Sequence, residues 1–395
     1  MPFRWTTWIV ATFLVLGWAS AHAQPADPLA PPESISADSR VAYEEGRLIF
    51  NAHWRPSGTD GPDDFEGLGP LYNRIACSSC HNAGGRGAPP DGPERNFLTA
   101  LVRIGIVADD GTVAPHPEFG VQIQDRAVPG VEPEADLSLT WVPVDFEMPD
   151  GTVVPLRRPD LRIVPDPGEN ARWSIRVAPP VRGVGALMHA VTANRGEGRF
   201  GWKATEPTLA AQNASALSQD MGITSAYEPD AVCPSGLDAC GGGDNEVSGI
   251  RLFLLSHFLE RLPPPEPVSY PEPMGLQLFA DTGCADCHMS ALPTEDGIGD
   301  LAAYTDLALH DMGPGLDDGL PEGEAASFEW RTPPLWGLGS YLAENPDATL
   351  LHDGRARGLL EAILWHDGEA RQSRDSFLML APQERQRLVD FLMRL

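Results

Sequence analysis

The sequence predicts a mainly α-helical chain built from two tandem copies of one domain, the first interrupted by a small β-rich insert. Three observations carry this expectation. The pentapeptide Cys77-Ser78-Ser79-Cys80-His81 returns as Cys284-Ala285-Asp286-Cys287-His288. Flanking landmarks return with it in one order: Gly46-Arg47-Leu48-Ile49-Phe50 with Gly275-Leu276-Gln277-Leu278-Phe279, then "APPVRGVG" (Ala178 to Gly185) with "TPPLWGLG" (Thr332 to Gly339), then the amphipathic runs "LLSHFLERL" and "RLVDFLMRL", ending at Leu262 and Leu395. Between the copies lies "PPPEPVSYPEP" (Pro263 to Pro273), where proline forbids continuous helix and stiffens an interdomain linker. The copies therefore span residues 24–262 and 274–395.

Residues 1–23 run from Arg4 through the apolar "WIVATFLVLGW" to Ala21-His22-Ala23. A basic start, a short hydrophobic run and a small-residue cleavage site make a secretory signal, with the mature chain beginning at Gln24. No later run approaches the roughly 18 apolar residues that a spanning helix needs. The expectation is an exported, periplasmic protein with no stable membrane insertion.

The chain has a formal charge of −28, unchanged in sign once the leader with its single Arg4 is removed. So acidic a surface disfavours nucleic acid and anionic lipid and suits a basic partner. The 40 glycines and 39 prolines predict many loops, while 42% hydrophobic residues suffice for packed domains.

Four of the six cysteines lie in the two Cys-x-x-Cys-His units. Zinc is one reading of paired cysteines. Zinc ribbons, however, set their pairs about 15–20 residues apart, whereas Cys80 and Cys284 are 204 apart. Nor does zinc need a histidine directly after the second cysteine. Covalent haem does: two thiols add to the porphyrin vinyl groups, and the adjoining imidazole becomes the proximal ligand. On this reading Cys77, Cys80, Cys284 and Cys287 tether two c-type haems, and His81 and His288 bind iron. The two copies become cytochrome c-like haem domains.

From about Leu101 to Pro165, runs such as "VRIGIV" and "GTVVPLRR" alternate with "ADDG" and "MPDG", which are strand and turn signals. This insert reads as scaffolding, with the shaping of a substrate or partner site as the alternative. Cys233 and Cys240 sit in the glycine-rich "CPSGLDACGGGD". In an oxidising compartment they predict a loop-stapling disulfide worth on the order of 2–3 kcal/mol. The alternative is a redox-active dithiol, although nothing basic nearby lowers a thiol pKa.

The order "CSSCH", "GRFGWKA", "DMGITS", "CADCH", "YTDLALHDMG", "EWRTPPLWGLG", "HDGRA", "EAILWHDGEA" resembles the dihaem c-type oxidoreductases, a family labelled both thiol oxidoreductase and dihaem peroxidase. It is similar to bacterial dihaem cytochrome c peroxidases and to MauG, the dihaem enzyme that matures a quinone cofactor. The resemblance implies a haem-dependent oxidoreductase acting on peroxide or a related oxidant, with a small redox protein as electron partner. Ca2+ between the domains is a further candidate ion, as in similar peroxidases.

The resemblance also implies site residues. After a His-Asp-Gly-Arg turn, the peroxidases place a Met, and MauG a Tyr, on the far side of the second haem. That position here is His366, with Met312 as the rival and with His310 and His352 left to hydrogen bonding. The loop after His81 carries no distal histidine, so the first iron is expected to hold an open position. The peroxidases use a Glu ten residues beyond a Gln as acid or base. Here Gln212 is followed eight residues on by Asp220, the corresponding candidate, whose other reading is a turn cap. His189 in "GALMHAV" is a rival distal base or sixth ligand, or a core residue. Trp202 corresponds to the peroxidases' inter-haem tryptophan, the alternative being plain core. A dihaem electron carrier without catalysis, or a thiol oxidoreductase, stand as the other functions.

Overall fold

The structure is a computed structural model that describes residues 27–60, 65–93, 96–192, 196–230, 245–268, 272–295 and 299–395. The leader and both Cys233 and Cys240 lie outside the described residues.

In chain order the elements are α1 (Ala37–Asn51), β1 (Leu71–Tyr72), α2 (Cys77–Cys80), β2 (Ala100–Val107), β3 (Val113–Ala114), β4 (Gln122–Ile123), β5 (Arg126–Ala127), β6 (Asp136–Glu147), β7 (Val153–Val164), β8 (Ala171–Val177), α3 (Leu209–Met221), α4 (Gly249–Arg261), α5 (Pro273–Asp281), β9 (Leu309–Asp311), β10 (Glu329–Arg331), α6 (Leu338–Glu344), α7 (Leu359–Trp365), α8 (Arg371–Met379) and α9 (Pro382–Leu392). Helix leads strand at 31% against 20%. The chain is thus a mixed structure rather than a mainly α one, because the inserted sheet is larger than the strand signals suggested.

Helix starts follow the local chemistry. Ser36, Thr208, Ser248 and Glu272 each accept a hydrogen bond from a first-turn amide of α1, α3, α4 and α5. Proline opens α5 and α9, where its missing N–H is no loss.

The repeated landmarks make matching contacts. In the first copy α1 packs on α4; in the second α5 packs on α9. Gly46 and Gly275 sit at these two crossings. A Cβ on Gly46 would strike the Leu254 carbonyl and lie 2.6 Å from Phe258 Cβ, and one on Gly275 would lie 2.5 Å from Phe391 Cβ. Each repeat therefore needs a residue without a side chain where its first helix meets its last. Between the copies, Pro264 packs against Gly183 and Pro265 against Gly337, the same turn of each repeat.

Three buried clusters hold the molecule. The first joins α1, α3 and α4 around Phe50, Leu217 and Phe258. The second joins α5, α7, α8 and α9 around Phe279, Trp365 and Phe391. The third lies under the inserted sheet at Val102, Ile123 and Val177. That sheet runs past residue 165: β8 pairs with β2 over seven residues in antiparallel register, from Ala100↔Val177 to Ile106↔Ala171, and β4 flanks β2 on the opposite edge.

The hairpin β6–β7, with Leu139 opposite Leu161, reaches further than a local elaboration would. Its base (Leu139, Leu161, Ile163) belongs to the cluster under the sheet, while Met148 and Leu156 near its tip belong to the carboxy-terminal cluster. Arg157 also donates to the carbonyls of Arg355 and Gly354 at 3.1 and 3.2 Å. The hairpin is a strap from one cluster to the other.

Candidate haem-binding site

One continuous cavity of about 1900 Å3 is lined by both Cys-x-x-Cys-His units. Cys77 and Cys80 bracket the single turn of α2, and His81 follows as its C-cap. The His81 Nδ1 hydrogen bonds to the Pro179 carbonyl at 2.8 Å, a residue of the repeated "APPVRGVG". In the second copy His288 Nδ1 bonds instead to the Tyr304 carbonyl at 2.9 Å. In each case the carbonyl can only accept, so Nδ1 carries the proton and Nε2 keeps its lone pair for a metal. Burial lowers both imidazoles to about 4, which holds them in the neutral, ligating form.

His366 caps α7, and its Nδ1 is 2.7 Å from the Ala362 carbonyl, which again leaves Nε2 free. It lines the cavity with His288 and lies near enough to influence that ring electrostatically. Its rivals differ. His310 on β9 has both nitrogens engaged, by Asp306 and Glu369, each at 2.7 Å. The hydrogen bond to Asp306 above all, and then one to Cys287, lifts it to about 11, so it is a cation rather than a ligand. His352 is buried and stacked on Trp330, with centroids 3.5 Å apart and planes 10° apart. Met312 lines the same cavity.

At the first unit, His81 lines the cavity, and the buried His352, whose carbonyl accepts from the Val177 N–H at 2.8 Å, lines it too. His189 ends a 3-10 turn over Val184–His189 and is not among the lining residues.

Gln212 and Asp220 both line the cavity, eight residues apart on α3. Spacings of four keep a helix face, so two turns present both side chains to one space. Asp220 does not cap the turn that follows. Its Oδ1 accepts a 2.8 Å hydrogen bond from Gln122 Nε2, which also donates to Asn73 Oδ1 at 2.8 Å. Burial raises the Asp220 carboxyl above its usual range, against the opposing pull of Gln122, Arg103 and Arg74. Asp220 in turn raises the neighbouring Cys77 and Cys80 thiols, which burial alone already pushes up, to about 12. The carboxyl therefore sits beside the first attachment pair.

Trp202 lines the cavity with its indole N–H held by the Val177 carbonyl at 2.8 Å. Arg331 N donates to the Trp202 carbonyl at 3.0 Å. Lys203 Nζ, from the next residue, gathers the carbonyls of Ala326, Ser327 and Glu329 at 2.7–3.0 Å. The turn bearing Trp202 is thereby pinned to β10 of the second copy. Sequence reasoning assigned no role to Gln122, Lys203, Trp330 or Arg331; each works through partners far away in the chain, and only the motifs of the family resemblance, "GRFGWKA" and "EWRTPPLWGLG", took in the last three.

The donor set fits two c-type haems. Each unit supplies two thiols and one neutral imidazole with a free Nε2 to a shared, largely apolar space. Among the described residues one group of three metal-binding side chains occurs, Cys287, Asp306 and His310. Its sulfur, nitrogen and oxygen donors do not suit Ca2+, which takes oxygen ligands.

Residues 269–395 match the family described as "Di-haem oxidoreductase, putative peroxidase". That segment holds the second attachment unit, β9, β10 and His366. No curated protein matches the chain. Two of the similar solved structures each share 16% identity with this chain. One is hydrazine synthase of Kuenenia stuttgartiensis pressurised with xenon, with 99% of this chain and 100% of that chain covered and a TM-score of 0.41. The other is a MauG-like protein associated with microbial copper homeostasis, with 92% of each chain covered and a TM-score of 0.39. The family match agrees with the resemblance to dihaem oxidoreductases read from the sequence.

Proposed function

We propose that this protein is an exported, periplasmic dihaem c-type oxidoreductase of peroxidase type, reducing peroxide or a related oxidant at its amino-terminal haem with electrons relayed through its carboxy-terminal haem. The observation that carries the reading is the asymmetry of the two sites. Near His288, in the same cavity, stands a second imidazole, His366, hydrogen bonded through Nδ1; beside the first cysteine pair stands an acid, Asp220.

His81 and the two cysteines of α2 would hold the first haem, and His288, His366 and the second cysteine pair the other. When bound, the haems supply the redox chemistry, one-electron storage at the second and oxidant reduction at the first. The chain's own part is proton handling and positioning. Asp220 Oδ1 is occupied by the Gln122 amide, so the proton of the neutral acid sits on Oδ2. Burial, which raises the pKa of Asp220, favours that protonated form, from which the acid can deliver a proton to a leaving oxygen as the O–O bond breaks. Trp202, rigidly held through its N–H and carbonyl, is the candidate relay between the halves of the cavity. The strongly acidic surface suits a small basic redox protein as electron partner. No helix among the described residues is long and apolar enough to cross a membrane.

Resting-state electron paramagnetic resonance of the purified holoprotein tests the reading. One high-spin and one low-spin ferric signal, with the high-spin species lost on adding peroxide, are expected. Two low-spin signals and no reaction with peroxide would make the protein an electron carrier instead.

A further inference from the structure

In a chain with 56 acidic and 28 basic residues, a buried arginine has ready counterions. Most of those lining the cavity have found one: Arg74 pairs with Asp125 at 3.2 Å, Arg103 with Glu322 at 3.0 Å and Arg176 with Asp318 at 3.3 Å. Arg331 has not. It is only 7% exposed, and among the described residues its side chain donates to two carbonyls, Gly201 at 2.8 Å and Thr332 at 3.5 Å. Neutral acceptors do not cancel a buried charge, and an uncompensated guanidinium is among the costliest groups a core can hold. Burial alone lowers it to about 10, with no carboxylate opposing the shift.

Position narrows what completes it. Arg331 lines the cavity and closes β10 opposite Leu309 of β9. The next carbonyl, that of Thr332, accepts from the Thr305 hydroxyl at 2.7 Å, and Thr305 directly follows Tyr304, whose carbonyl orients His288. Its own backbone N–H holds the Trp202 carbonyl. Arg331 is thus tied through Thr332, Thr305 and Tyr304 to the second Cys-x-x-Cys-His unit, and through Gly201 and Trp202 to the turn beside it. A guanidinium presents a planar fork of donors that matches a carboxylate in two parallel hydrogen bonds.

We propose that Arg331 is the receptor for a propionate carboxylate of the second haem and, through that pair, holds the haem's reduction potential up. A fixed cation beside a redox centre favours the reduced state, which carries one positive charge fewer. The inference rests on the two-haem reading, and haem content measured first keeps the two apart: an intact mass with fewer than two haems sinks the reading itself.

The test is a spectroelectrochemical titration of wild-type holoprotein and of Arg331→Met and Arg331→Gln, following the low-spin signal. The expected result is a midpoint more negative in both variants, with two haems retained and the high-spin centre shifted less. Arg331→Lys, which keeps charge but loses the fork, should fall between wild type and the neutral variants. Should Arg331→Met fail to accumulate, the Gln variant carries the comparison. Midpoints superimposable on wild type in a chain carrying both haems would overturn the proposal. So would a saturable spectral response of the wild type to added formate that Arg331→Gln abolishes, because the site would then take a free anion.

Discussion

Replacing Gly46 or Gly275 with alanine tests whether the two copies are built on the same helix crossing. Alanine is the better helix former by about 1 kcal/mol, so on an open helix face the change stabilises. At Gly46, however, the new methyl meets the Leu254 carbonyl and Phe258 Cβ, and at Gly275 it meets Phe391 Cβ at 2.5 Å and the Arg387 carbonyl at 2.8 Å. These are backbone and Cβ atoms, which cannot swing aside as a side-chain tip can. Relieving such overpacking costs about 1–3 kcal/mol, and contacts this short belong at the upper end. The clash therefore wins by about 2 kcal/mol, a fall of roughly 4–8 °C in Tm. Gly249 is the control. It lies in the first turn of α4 with nothing within 4 Å of its Cβ, so Gly249→Ala should raise Tm by about 1–3 °C, through restriction of the unfolded chain. Thermal unfolding of the holoproteins, followed by far-ultraviolet circular dichroism, measures all three. If Gly46→Ala and Gly275→Ala stabilise as Gly249→Ala does, the close crossings are not as described.

Asp220→Asn keeps shape but cannot deliver a proton, and should lower peroxide turnover by roughly 10²–10⁴-fold while haem content and spin state stay as in wild type; unaltered turnover removes Asp220 from the mechanism. His366→Ala should abolish the low-spin ferric signal and leave the high-spin one, and loss of the high-spin signal instead would reverse the assignment of the two sites. Glu134, which accepts from the Gln124 amide at 2.7 Å, is raised by burial to about 7. Its folded pKa lies above its unfolded one, so the charged form is disfavoured in the fold and stability declines as pH rises from about 4.5 through about 7. Glu134→Gln should flatten the Tm profile across that window, and a profile parallel to wild type counts against the burial. Cys233→Ser with Cys240→Ser should leave turnover intact; its loss with full haem content would point to dithiol chemistry.

Some of this was open to a reader of the sequence. The proposed haem attachment is read from five contiguous residues, because two thiols and the imidazole that would bind iron all fall within one helical turn. The repeat was visible because each copy keeps the same short landmarks, down to the glycine at its helix crossing. The extent of the insert was not. β8 begins several residues after the last strand-like run and joins the sheet only by pairing with β2, about 70 positions earlier in the chain. Nor did anything in "VRIGIV" or "MPDG" indicate that β6–β7 would brace both halves of the molecule.

What the sequence determined by itself is the chemistry held in local spacing: two Cys-x-x-Cys-His units, each with an imidazole beside its thiol pair, and the glycines and prolines that punctuate each copy. The tertiary structure decided which distant groups face one another. It turned His310 into a cation clamped by Asp306 and Glu369, left His189 off the cavity, set Gln122 against Asp220 across 98 residues of chain, and buried Arg331 without a carboxylate. Protonation, burial and pairing are sums over neighbours brought together by folding, and periodicity along one chain does not carry them.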